Sequence, residues 1–147
     1  MLCREALHDD RAYLQIRDGG LSLLVTNRLP IPLKVNLALQ FSRGYIGGDE
    51  PLALRARIID EDGQGPEPFG IDFPPIAQST HAQMAGQGVE QRWAFAFNLA
   101  NHVVQKQGSY RIDIFANDYR VAYVPFSVQL TDYTPPGETP VLLPMWL

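Results

Sequence analysis

The sequence predicts an all-β chain, an antiparallel two-sheet sandwich followed by a proline-rich C-terminal tail. Three observations predict it. Short stretches of alternating apolar and polar residues recur along the chain, and almost none carries a helical period. Clusters of Gly, Pro, Asn and Asp separate them. The stretch GSYRIDIFANDYRVAYVPFSVQL, residues 108–130, then reads as two such strands about a polar turn. Tyr110, Ile112, Ile114 and Ala116 share one parity, and Ala122, Val124, Phe126, Val128 and Leu130 resume it in the second arm. Asn117-Asp118 supplies residues that tolerate the left-handed backbone of a tight hairpin turn. A lone hairpin is marginal in water, so this one needs a sheet to join and a second layer to cover it. Pro125 has no N–H to donate, which predicts a sheet edge or a bulge in its arm.

Taken in order, Cys3 reads as a small buried hydrophobe at the start of a strand. The runs 12–16 and 21–27 flank Asp18-Gly19-Gly20, a hairpin signal that predicts two paired strands. Leu29-Pro30-Ile31-Pro32 stops them, and a strand follows with Leu33, Val35, Leu37, Leu39 and Phe41 inward. The glycine-containing loop SRGYIGGDE has neither the Lys-Ser/Thr nor the following helix of a phosphate cradle. Leu52, Leu54, Ala56 and Ile58 alternate with Arg55 and Arg57 on the solvent side, and Asp60-Glu61-Asp62-Gly63 ends that strand in an acidic turn. Oxygen ligation suits calcium, but the EF-hand spacing is absent, so the turn is expected to be structural. Phe69 to Phe73 predicts an edge strand before Pro74-Pro75, and 76–89 a long loop. In 90–98, Trp93, Phe95 and Phe97 share a parity and are expected to meet Phe126 in one core. Leu99 to Gln107 lacks alternation and predicts one helical turn carrying Val103 and Val104 over the end of the fold.

After Leu130 the alternation stops. The chain divides into a β-sandwich domain, 1–131, and a linker with an apolar docking peptide, 132–147. Val141, Leu142, Leu143, Met145, Trp146 and Leu147 are the candidate partner-binding residues. The extended segment favoured by Pro140 and Pro144 is expected to dock in a groove or as an added strand, on another subunit or partner, or on its own domain.

Composition narrows the function. The 147 residues carry a net charge of −4 with arginines scattered through the sequence, so a nucleic-acid partner is not expected. The N-terminal MLCREALHDD has neither the apolar run of a secretory signal nor that of a membrane anchor, which predicts a cytoplasmic protein without a membrane partner. Cys3 is the single cysteine, so there is no internal disulfide and no cysteine-rich zinc site. His8, His81 and His102 lie far apart and form no ligand pair. No Gly-x-Ser-x-Gly, His-Glu-x-x-His or placeable carboxylate pair is present, so neither catalysis nor a cofactor is expected.

The pieces IRDGGLSLL, LRARIIDEDG and GSYRIDIFANDYRVAYVPFSV, spread over 10–130, resemble an uncharacterised bacterial family of small β-sandwich domains of unknown function. The Gly-x-Tyr entry into the last hairpin is also similar to immunoglobulin-like and fibronectin-like domains. The resemblance implies an immunoglobulin-like sandwich and no catalytic residue, and the two prolines after Leu29 depart from its glycine-rich turn. The expected function is a non-catalytic protein–protein interaction or assembly module, an oligomer or hetero-complex held through the tail. The alternative is a small-ligand or carbohydrate-binding sandwich that uses its loop tips.

Overall fold

The structure, a computed structural model, describes residues 1–8, 14–43, 50–74, 91–132 and 141–144. They are all-β, with twelve strands: β1 Leu2–His8, β2 Leu14–Gly19, β3 Leu21–Thr26, β4 Ile31–Pro32, β5 Asn36–Arg43, β6 Leu52–Ile59, β7 Phe69–Phe73, β8 Gln91–Asn98, β9 Val103–Val104, β10 Gly108–Ala116, β11 Tyr119–Leu130 and β12 Val141–Pro144. A four-stranded sheet runs β2-β1-β5-β8, a six-stranded sheet β12-β3-β11-β10-β6-β7, and β4 pairs with β9. Among the described residues no helix is long and apolar enough to cross a membrane.

The two larger sheets share one core because their apolar parities face each other. Leu2 and Leu37 from the first meet Leu24, Ala56, Ile58, Ile112, Phe126 and Val128 from the second. One end is filled by Ile31 and Val104 of the small sheet with Leu33, Val35 and Leu99. Along one flank, rings from both sheets pack edge to face: Phe41 on Phe73 at 5.4 Å, Phe69 on Phe97 at 5.3 Å and Phe95 on Phe97 at 5.1 Å. Phe126 and Phe97 therefore belong to one core cluster, as their parity predicts. Of Trp93 the backbone lies on β8, and its side chain lies outside the described residues.

The closing hairpin forms as read, with Asn117 and Asp118 at φ 48° and 71° and Ala116 opposite Tyr119. The pairing shifts between Ile114 and Phe115, so Phe115 faces Arg120, Ile114 faces Ala122, and Val121 is the extra residue of a bulge. β11 is interior to its sheet, yet β3 pairs with it only from Ser127 to Leu130. Pro125 sits before that segment, opposite Arg111 on β10 and beside no rung of β3.

Several expectations are corrected. The runs around Asp18-Gly19-Gly20 do not pair with each other: β2 joins β1 in one sheet and β3 joins β11 in the other. Gly20, at φ 76°, is the single residue between them and turns the chain from layer to layer. The partner of β2 is β1, whose charged residues at Arg4 and Glu5 mask its alternation. Pairing is not wholly antiparallel, since β3 runs parallel to β11. β5 begins at Asn36 rather than Leu33, because Lys34 takes φ 52°, although Leu33 and Val35 remain buried. In place of a helical turn over 99–107, a turn closed by His102 N–H on Leu99 O (3.0 Å) leads into β9.

The backbone of the tail makes an added strand on its own chain: Val141 pairs with Val25, Leu142 with Leu24 and Leu143 with Leu23, antiparallel. This is the intrachain mode of docking. Met145, Trp146 and Leu147, and the loop at 76–89, lie outside the described residues.

Candidate functional site

The outer face of β6, β10 and β11 gathers groups that are far apart in sequence. Inward Ala56, Ile58, Ile112 and Ile114 turn the opposite parity to the outer face of the sheet, and the ladder sets that parity into three rows. Arg55, Phe115 and Arg120 form the first, Arg57, Asp113 and Tyr123 the second, and Ile59, Arg111 and Pro125 the third. Four guanidiniums thus share a face on which the described carboxylates are Asp113 and, on β7, Asp72.

Asp113, 6% exposed, is the hub. Arg111 Nη2 donates to its Oδ2 at 3.1 Å, and Arg111 Nε lies 2.7 Å from Oδ1 as an ion pair lacking the angle of a hydrogen bond. Arg120 Nη1 stands 3.7 Å from the same Oδ1. Both guanidiniums also lie over the Tyr123 ring, 5.9 Å and 5.7 Å from its centroid. Arg55 is held by Asp72 at 2.7 Å and by the Leu54 and Ile71 carbonyls. Arg57 Nε, like Arg111 Nε, is buried and makes no hydrogen bond among the described residues. An unmatched buried donor costs about 1–3 kcal/mol.

The tip of the hairpin is anchored. Asn117 Oδ1 accepts from Ala53 N–H at 2.7 Å, its Nδ2 donates to Pro51 O at 3.1 Å, and its backbone N–H donates to Ala53 O at 3.0 Å. Beyond this clamp Tyr119 is 78% exposed, Val121 60% and Tyr123 58%.

At the other end of β10, a cleft of about 500 Å³ opens between the acidic turn and the 101–106 segment, with Ile58, Val104, Tyr110 and Lys106 in its wall. Its charged groups already hold protein partners. Asp60 Oδ1 accepts from the Asp62 and Gln64 amides at 2.9 Å, and Lys106 Nζ bridges Asp60 and Asp62 at 3.3 and 3.4 Å. Glu61 Oε1 accepts from Ser109 N–H at 2.8 Å. The Gln64 amide, with smaller help from Lys106, holds the Asp60 carboxyl below its usual range, and Asp60 raises Lys106 in turn. Burial raises the Tyr110 phenol, which donates to Lys106 O at 2.5 Å, and lowers the His102 imidazole. Each carboxylate of the Asp60-Glu61-Asp62 turn thus ties the turn to β10 or the segment before it. Among the described residues no three His, Cys, Asp or Glu side chains converge as a metal site would require. Cys3 is buried, its Sγ directed to Asn36 O at 3.6 Å, and burial raises its thiol.

The arginine face was not visible as a cluster in the sequence. Arg55 and Arg57 were legible as outward-facing residues, but the surface they share with Arg111 depends on the pairing of β6 with β10. The one available signal was the recurrence of arginine at solvent parity on successive strands.

No protein-family model matches the chain, and no curated protein matches it. Among solved structures, Pseudomonas fluorescens alkylpurine DNA glycosylase AlkC, bound to DNA containing an abasic site analog, is similar at a TM-score of 0.41 and 12% identity. The match covers 74% of this chain and 28% of that one. A protein-assembly module with no nucleic-acid partner is not what this comparison returns: the similar structure holds DNA, so both expectations are withdrawn. The DNA belongs to the glycosylase, and no contact is carried from it to this chain.

Proposed function

We propose that this chain is a non-catalytic nucleic-acid-binding module whose contact surface is the outer face of β6, β10 and β11. The observation that carries the reading is the set of four guanidiniums on three adjacent strands, gathered on one face by the register of β6, β10 and β11. Phosphate oxygens are the acceptors that such a fork matches, in pairs and with charge. The net charge of −4 does not oppose this, because phosphate contacts are decided within about a Debye length, roughly 8–10 Å in physiological salt. Within that range the face presents four arginines against Asp113, which is nearly covered, and Asp72. An immunoglobulin-like sandwich is the architecture we assign to it. The order β11-β10-β6 in one sheet and the β5-β8 pair in the other support this assignment, corresponding to the G-F-C and B-E neighbours of that fold.

The test is fluorescence anisotropy with labelled oligonucleotides over a salt series starting near 50 mM, comparing the natural chain with Arg57→Gln and Arg120→Gln. Binding is expected to weaken with salt, and each substitution to lower the log–log slope by about 0.7–0.9 for each phosphate that the removed guanidinium had neutralised. No binding at the lowest salt, or binding that neither substitution alters, refutes the reading.

A further inference from the structure

The arginine face alone does not account for the exposed rings beside it. Tyr123 stands in the middle of that face and Tyr119 at the hairpin tip, both largely open to solvent. The tip is not slack, because Asn117 fixes it to the start of β6 through three hydrogen bonds. A rigid projection that exposes Tyr119 and Val121 forgoes burial that a plain turn of Asn, Asp and Gly would not have had to forgo.

Resting on the nucleic-acid reading, we infer that the face takes a single, unpaired strand in preference to a duplex, with Tyr123 and Tyr119 as stacking platforms for its bases. The chemistry follows from what each form of nucleic acid exposes. A continuous duplex turns phosphates outward and hides the faces of its bases, so it can engage the arginines but offers nothing to an upright phenol ring. An unpaired strand offers both, and every base has a face, so the contact needs no sequence. Arg111 and Arg120 already lie over the Tyr123 ring, so a base meets the part of the ring they leave exposed and brings its phosphates within reach of the two guanidiniums. Tyr119, four residues away or roughly 13 Å of strand, lies past the bulge at Val121 and faces Ala116, so it points to the other side of the sheet from Tyr123. It therefore receives a different base, where the strand passes over the end of the hairpin.

The experiment compares oligo-dT, oligo-rU and a matched DNA duplex, each labelled, on the natural chain, Tyr119→Ala and Tyr119→Phe. Tyr119 is suited to this because its ring packs on no guanidinium among the described residues and it is remote from the core. The natural chain is expected to bind at least one single strand more tightly than the duplex. Tyr119→Ala is expected to lose about 5- to 150-fold of that affinity with the duplex value unchanged, and Tyr119→Phe to retain it. Equal affinity for single strand and duplex, unmoved by Tyr119→Ala, overturns the inference and leaves the phosphate-binding reading standing. Failure of all three probes to bind overturns both.

Discussion

Replacing Phe126 with alanine removes a ring that is 4% exposed and lies between the two sheets. Its loss has three parts. Returning a phenylalanine side chain to water costs about 1.5–3 kcal/mol. The ring also stacks on Tyr110, with centroids 5.3 Å apart and planes 15° from parallel, and such a pair contributes about 0.5–1.5 kcal/mol beyond its area. The space left behind cannot close fully, because β11 is tied to β10 along its length and to β3 from Ser127 onward, which adds a cavity cost. Together these place the change at about 3–5 kcal/mol, a fall in melting temperature of roughly 6–20 °C for a chain of this size. Urea denaturation followed by circular dichroism would measure it, with an unchanged slope confirming that the same surface is exposed on unfolding. A loss under about 1 kcal/mol would mean that Phe126 behaves as a surface residue and that the inward parity of β11 is misassigned.

Other expectations follow from single sites. A Cβ at Gly70 would run into the Leu54 carbonyl oxygen, so Gly70→Ala is expected to push β7 off β6 and destabilise by about 1–3 kcal/mol or more, read as early hydrogen exchange of the β7 amides. Asp60 has a folded-state pKa below its unfolded value, so its stabilisation is complete above the unfolded pKa and is lost as pH falls through the folded one. Asp60→Asn should therefore flatten the acid limb of the stability profile. His102 is likewise lowered, by burial, and its protonation should erode stability as pH falls from the ordinary histidine range, a decline that His102→Gln removes. Cys3 is buried with a raised thiol pKa, so a thiol reagent should label it only at the rate of unfolding; rapid labelling in native buffer would contradict its placement.

The sequence by itself determined which segments would be strands over much of the chain. The alternation of β6, β8, β10 and β11, the Asn117-Asp118 turn and the prolines that end β7 are local physics, written in the period of apolar residues and in backbone tolerances. It also determined the inward sides of those strands, which is why Ile58, Ile112, Phe97 and Phe126 meet. It did not determine which strands pair. A glycine turn between two alternating runs is equally compatible with a hairpin and with a step between layers. The choice at Gly20 was made by β1, which offered β2 a partner in one sheet while the second arm of the closing hairpin offered β3 a parallel edge in the other. The candidate site lies on the same side of that divide. That Arg55, Arg57 and Arg111 point outward is a matter of parity. That they form one face around Asp113 and Tyr123 is a matter of register, decided by contacts between residues more than fifty positions apart. The bulge at Val121 turns Arg120 onto that face, and a shift of one residue would have sent it to the other side.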